Sequence, residues 1–363
     1  MDLSKEAYMF DIKSGNPREY GYRMPGEWEK RKRTFMQWPT RDGKYGKTLI
    51  WPDGIKEAKK GYAQVAKAIA EFEEVVMIAP AELLDEVQEM CGEKIQVISL
   101  PTDDSWVRDN GPTFLLDGDQ NIAAVKWRFN SYGEKYQTHY NDSKIPYHLA
   151  VMYDIPIFKS PLSLEGGGIH SDGQGTILTT ESAILTDSRN SQFSKEEVTE
   201  LLKEYLGGEQ VIWLKSGLYG DLTDGHVDNT ACFVEPGVIV IQACYDKNDP
   251  DYEIFQENLK ILKEFKDRAS GLPFEIVEIE KPPIRYYKDQ LLTLSYINYL
   301  PVTGGVIVPV FGGDAQETDR KALEIIQKLY PDRRVVAVDG MPIIVGGGCV
   351  HCITQQMPYG KSI

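Results

Sequence analysis

The strongest constraint in this sequence is a repeated change of hydrophobic period. Ile55, Ala58, Tyr62, Val65, Ala66, Ile69 and Phe72 recur at three- and four-residue steps, as on one face of an α-helix, and a strand-like run from Val75 to Ala79 follows. Ser194 and Glu197 form a capping box for a helix carrying Val198, Leu201, Leu202 and Tyr205; Gly207-Gly208 end it before the apolar run Val211 to Leu214. The plan returns where Leu323, Ile326, Leu329 and Tyr330 share a face, Pro331 stops the helix and Val335 to Val338 read as a strand. Helix followed by short strand, several times over, predicts an α/β fold.

After the apparent strand ends at Leu100, Phe158, Leu214 and Val338 the chain enters glycine- or aspartate-rich stretches. Each holds a reactive residue seven to fourteen positions downstream: Asp109, Glu165, His226 and Cys352. A cyclic repeat would bring such positions to one axis, although any α/β protein also places loops after strands. No linker rich in Pro, Gly or Ser divides the chain, so residues 1–363 are expected to form a single domain.

The chemistry-bearing residues are individually ambiguous. Gly346-Gly347-Gly348-Cys349-Val350-His351-Cys352 joins a glycine run, which lets backbone approach a ligand, to two thiols, and a thiolate is the strongest side-chain nucleophile near neutral pH. A Cys-x-x-Cys pair also occurs in redox motifs and half zinc sites, but no second pair completes a zinc site and no thioredoxin-like βαβ context surrounds this one. Cys232 and Cys244 lie in apolar surroundings and read as inert core thiols. His226 and Asp228 are one residue apart and on an extended strand would share a face; a core histidine bonded to an aspartate is the alternative. His139 and His148 sit in a polar, tyrosine-rich stretch without obvious partners. Glu165 precedes Gly166-Gly167-Gly168 and is either a ligand carboxylate or a turn residue. Arg108 and Asp109 in Trp106-Val107-Arg108-Asp109-Asn110-Gly111 are either site residues or members of a structural ion-pair network. Together they supply a thiol, an imidazole and three carboxylates, the inventory needed to hold a planar cation and attack its central carbon.

Composition narrows the partners. Forty Lys plus Arg against fifty-five Asp plus Glu leave a net charge of −15, which disfavours nucleic acid and anionic membranes and suits a small cation, besides serving solubility. The first residues, Met1 to Glu6, lack the apolar stretch of a signal peptide, and no run of eighteen apolar residues occurs. Five cysteines, an odd count, fit a reducing compartment better than a disulfide framework, so a cytoplasmic location is expected.

The ordered motifs Met24-Pro25-Gly26-Glu27-Trp28, Asp103 to Asp109, Glu165-Gly166-Gly167, Gly225 to Asn229, Ser295 to Tyr299, Gly346 to Gly348 and His351 to Gln356 resemble the agmatine deiminases of the guanidine-modifying superfamily, which also holds arginine deiminases and bacterial peptidyl-arginine deiminases. The resemblance spans nearly the whole chain. It implies a five-fold pseudosymmetric α/β propeller (pentein) with the active site in its central channel. It assigns Cys352 as nucleophile, His226 and Glu165 to protons and water, and Asp109 and Asp228 to the guanidinium nitrogens, with no metal and no organic cofactor. Trp106 is the expected wall along the substrate's aliphatic chain, and Asp103, Asp104, Asp221 and Asp224 are expected to make the pocket acidic. The partners expected are a small cationic guanidinium substrate and further copies of the chain. Two departures stand out: Cys349 where the family has Asn, and Tyr132-Gly133-Glu134 where it has Trp-Gly-Gly. The expected reaction is hydrolysis of agmatine to N-carbamoylputrescine and ammonia. The competing readings are deimination of free or peptidyl arginine, a metal hydrolase using the carboxylates and His226 as ligands, and a silent polyamine-binding protein.

Overall fold

A computed structural model of the chain describes residues 11–361 except 43, 46, 47 and 137. The opening Met1 to Glu6 therefore lies outside the described residues.

The predicted helix and strand pairs are present with small changes of boundary. Helix Ile55–Ile69 buries Ala58, Tyr62, Val65, Ala66 and Ile69 and ends before Phe72, which packs on the same core from the following turn. Each fully buried Val or Ile on such a face stabilises the fold by about 1.5–3 kcal/mol. Lys195–Leu206 has both halves of its capping box, with Glu197 N–H donating to Ser194 Oγ at 3.2 Å and Ser194 N–H to Glu197 Oε2 at 2.7 Å. Gly207 closes it at φ 65°, where a Cβ would sit 2.3 Å from the Tyr22 carbonyl, so glycine is required twice over. Gln316–Leu329 begins earlier than its apolar face suggested, because a polar first turn of Glu317 and Asp319 precedes it.

Strand pairing shows the repeat that helix periodicity only hinted at. Five sheets share one plan: an opening strand pairs antiparallel with a middle strand, and a helix then crosses over to a third strand parallel to the middle one. The plan is Thr113–Leu116, Ile122–Lys126, Ile157–Lys159 in one sheet and Ile169–Ser171, Thr176–Thr180, Gln210–Leu214 in the next. It continues with Ala231–Glu235, Val238–Ala243, Glu275–Glu280 and then Leu300–Val302, Gly305–Val310, Arg334–Asp339. The fifth sheet takes its opening strand from Thr354–Pro358 and its next two from Arg31–Gln37 and Glu74–Ala79, joining distant parts of the chain. Middle strands such as Ile177 to Thr180 and Ile239 to Ala243 are buried on both faces, as expected of sheets covered by helices.

Candidate functional site

The segments leading into the opening strands carry the candidate residues. Asp109 lies in the helical turn Val107–Asn110 before Thr113–Leu116, and Glu165 precedes the turn Gly166–Gly168 before Ile169–Ser171. His226 and Asp228 sit at the turn Val227–Asn229 before Ala231–Glu235, Asn298 precedes Leu300–Val302, and Cys352 precedes Thr354–Pro358. The expected extended strand for His226 and Asp228 is not found, because Val227–Asn229 forms a 3-10 turn. The turn still brings both to one place. A Cβ built on Gly167 would lie 2.6 Å from His226 Nδ1 and 2.9 Å from both Asp109 Oδ1 and Asp228 Oδ2, so glycine there is a requirement of space.

Around this point the charges are paired through the protein. Gly167 N–H and the Tyr132 hydroxyl each donate to Asp109 at 2.9 Å, and His226 Nδ1 stands 3.7 Å from its Oδ1. Burial pushes the Asp109 carboxyl up to about 6, opposed by His226 and aided by Asp228 and Glu165. Burial works against a charged His226, but Asp109 and Glu165 outweigh it and raise the imidazole to about 9. Glu165 is 3.4 Å from His226 Nε2 and receives Arg189 Nε at 3.0 Å; burial raises it, and the Arg189 guanidinium with His226 holds it below the usual carboxylate range. Asp228 is likewise pushed up by burial and held low by His351, whose Nδ1 is 2.9 Å from Oδ2. Cys352 Sγ lies 3.1 Å from Asn298 Nδ2 and 3.5 Å from Asp228 Oδ2. Burial first, then Asp228 and Asp109, raise the thiol well above its ordinary range. Asp228 Oδ1 and His226 Nδ1 are buried without hydrogen-bond partners, open polar atoms at the centre of the cluster.

A narrow cleft opens onto Cys352 and Asp109, walled by Trp106, Tyr132, Tyr136, Leu222 and Thr223. Trp106 stacks on Trp51 with centroids 5.8 Å apart and 23° between planes. The glycine run gives these indoles clearance: a Cβ at Gly346 would be 2.2 Å from Trp51, and one at Gly348 2.8 Å from Trp106 and 3.1 Å from Cys352 Sγ. Tyr132 sits in a left-handed stretch, with Ser131, Tyr132, Gly133 and Glu134 at φ 57°, 60°, 80° and 67°. That backbone is costly for non-glycine residues and recurs at functional sites.

The expected acidic pocket is not found. Asp103, Asp104, Asp221 and Asp224 are absent from the cleft wall. Asp103 accepts from the Asn141 backbone and Asp104 pairs with Arg41 at 3.2 Å. Asp221 serves Thr223 and Asn229, and Asp224 pairs with Arg189 and Lys135. Asp221 thus serves its own turn, and the other three are held by partners distant in the chain. Cys232 and Cys244 are buried thiols, the latter pushed up to about 11 by burial. His139 packs edge-on against Phe129, and His148 does have an interaction partner. Residues that the sequence reading left without a role include Asn298, His351, Glu27, Arg189 and Tyr132, although the first three lie inside the recognised motifs. Among the described residues no three His, Cys, Asp or Glu side chains are arranged to hold a metal ion.

One consequence concerns pH. His226 titrates at about 9 in the fold against an ordinary value of 6.5, so its charged form contributes stability that is complete below about 6.5 and lost as pH rises towards 9. The melting temperature of the ligand-free protein is therefore expected to fall between those values, with a shallower fall in His226→Gln; a flat melting profile in the native chain would contradict this.

The sequence matches the Porphyromonas-type peptidyl-arginine deiminase family over residues 23–358. A Legionella pneumophila protein provisionally named agmatine deiminase is 41% identical over 348 residues, covering 96% of this chain and 98% of its own. The solved agmatine deiminase of Enterococcus faecalis superposes with a TM-score of 0.89 at 33% identity, covering 98% of this chain and 100% of that one. The dimethylarginine dimethylaminohydrolase of Pseudomonas aeruginosa, at 15% identity and a TM-score of 0.50, shares the fold alone. Every site residue described above falls within the matched span, and the chain belongs to the Porphyromonas-type peptidyl-arginine deiminase family.

Proposed function

We propose that this chain is a hydrolase that converts agmatine to N-carbamoylputrescine and ammonia through a covalent adduct on Cys352. The observation that carries the reading is the convergence on Gly167 of Asp109, Asp228 and His226 beside the Cys352 sulfur. Two carboxylates match a planar guanidinium by charge-assisted hydrogen bonds, and Asp228 Oδ1 is still free to accept one. The arriving cation offsets the negative charges that keep the thiol protonated, and the thiol proton passes to solvent, leaving Asp228 ionised for the guanidinium. The sulfur then bonds to the guanidinium carbon, and His226, held as imidazolium, gives a proton to one nitrogen, which departs as ammonia. The C–N bond breaks and a thiouronium remains. His226, now neutral, takes a proton from water as the water oxygen bonds to the same carbon; Glu165, fixed by Arg189, orients that water. Breaking the C–S bond returns the sulfur as a thiolate while the hydroxyl proton passes to solvent, which releases the ureido product.

We also read the five sheets as a closed ring about a pseudo-fivefold axis, one domain over residues 1–363. The shared pairing plan and the fifth sheet built from distant strands support this. The five free thiols support a reducing, cytoplasmic setting. No helix among the described residues is long and apolar enough to cross a membrane. The charge of −15 supports a protein without nucleic-acid partners, and assembly with further copies of the chain remains part of the proposal.

Agmatine is favoured over arginine by the cleft wall, which contains no Lys or Arg among the described residues. The nearby Lys135 is committed to Asp224 and the Leu222 carbonyl. Arginine's α-carboxylate would enter without a partner, and an unpaired buried charge costs several kcal/mol. Trp106 and the tyrosines instead offer faces that tolerate methylenes and a cation. We expect kcat/KM for agmatine to exceed that for arginine by about a hundredfold or more, with arginine methyl ester recovering part of the difference. Equal rates for arginine and agmatine would reassign the substrate to arginine.

A further inference from the structure

Both ring nitrogens of His351 face carboxylates. Nδ1 lies 2.9 Å from Asp228 Oδ2 and Nε2 2.8 Å from Glu27 Oε1, with all three side chains buried. A neutral imidazole has one N–H and can serve only one of these oxygens, whereas an imidazolium serves both. Burial and the Arg108 guanidinium disfavour the charged ring, but Glu27 and Asp228 outweigh them and raise His351 above its ordinary range. Glu27 is itself anchored: Arg108 Nη1 and Gln356 Nε2 reach Oε1 at 3.3 and 3.2 Å, and His170 Nε2 stands 3.8 Å from Oε2. A continuous buried line thus runs from Glu27 through His351 to Asp228 and, 3.5 Å further, to the Cys352 sulfur.

The chemistry of Asp228 gives this line a purpose. Its Oδ2 is taken by His351 and faces the thiol, while its Oδ1 is buried without a partner. A carboxylate free to rotate could exchange these roles. We propose that Glu27 and His351 are positioning residues: Glu27 keeps His351 doubly protonated, and His351 locks Asp228 with Oδ2 on the sulfur side and Oδ1 presented to the substrate guanidinium. The proposal rests on the deiminase reading above and assigns a role to two residues that touch no reacting atom.

The test is made in the Cys352→Ser background, where agmatine is expected to bind without turning over. Glu27→Gln and His351→Asn, at the first and second members of the line, are each expected to weaken agmatine binding about tenfold by calorimetry, with melting curves confirming the fold. In a Cys352→Ser, Asp228→Asn protein the same substitutions should change binding by less than about twofold, because their effect passes through Asp228. Nitrogen-15 spectra should show His351 as an imidazolium through neutral pH in the parent and as a neutral ring in Glu27→Gln. Undiminished binding in either variant, losses of equal size in both backgrounds, or a neutral His351 in the parent would overturn the proposal. These outcomes separate from failure of the deiminase reading: in that case the native chain releases no ammonia from agmatine or arginine, and the positioning role falls with it. Normal turnover in the native chain with unimpaired Glu27→Gln sinks the positioning role alone.

Discussion

Cys352→Ala is expected to abolish ammonia release, a loss of about four orders of magnitude or more, whereas Cys349→Asn is expected to keep most of the activity. The two thiols are three residues apart, and their surroundings separate them. Cys352 lines the cleft, with its sulfur beside Asn298 and Asp228. Cys349 is fully buried and absent from the cleft wall, with its sulfur 3.9 Å from the Gly340 carbonyl. Burial, aided by Asp339 and opposed by the Val350 N–H, pushes it up to about 12. Intact-mass measurement during turnover should place the adduct on the peptide bearing Cys352. An adduct on Cys349 would remove the basis of the mechanism.

The second large effect distinguishes holding the substrate from moving its protons. His226→Ala is expected to lower kcat about a thousandfold while changing agmatine affinity much less, because the ring supplies a proton after the cation is bound. Asp109→Asn should do the reverse, weakening capture of agmatine and of unreactive guanidines about a hundredfold, since it removes one of two charges facing the cation. The residual difficulty is that Asp109 also raises His226, so Asp109→Asn should move the alkaline limb of the activity profile to lower pH as well. Equal affinity in Asp109→Asn and the native chain would contradict the division of roles.

How much of this was legible before folding depends on range. The helix Lys195–Leu206 was legible because its cap, its apolar stripe and its terminal glycine are all local. Cys352, His226, Glu165, Asp109 and Asp228 were legible as candidates because each stands in or beside a glycine-rich motif. The partner of each was not. Glu27 and His351 are separated by 324 positions and Arg108 and Gln355 by 247, and no local period encodes such pairings. Glu27, Asn298 and His351 were visible only as letters of recognised motifs, since nothing nearby says that an imidazole will meet two carboxylates. The aspartates failed in the opposite sense: Asp221 and Asp224 look like free charge in sequence, and turn amides and Arg189 consume them in space. The 3-10 turn at Val227–Asn229 was missed because alternation over three residues cannot distinguish a strand from a turn.

The pairing of Arg31–Gln37 with Thr354–Pro358 also sets an order of events during synthesis. The strand at Arg31–Gln37 emerges early and pairs with Glu74–Ala79 on one side, but its other edge must wait until nearly all the remaining chain has been made. A waiting edge is a site for mispairing with other chains. Cys352 arrives just ahead of the strand that covers this edge, so the proposed nucleophile and the covering strand are delivered by the same late segment. A ribosome-bound chain thus carries Asp109 and Asp228 long before it carries the Cys352 sulfur, so under the proposed mechanism no turnover is expected before Thr354–Pro358 has paired.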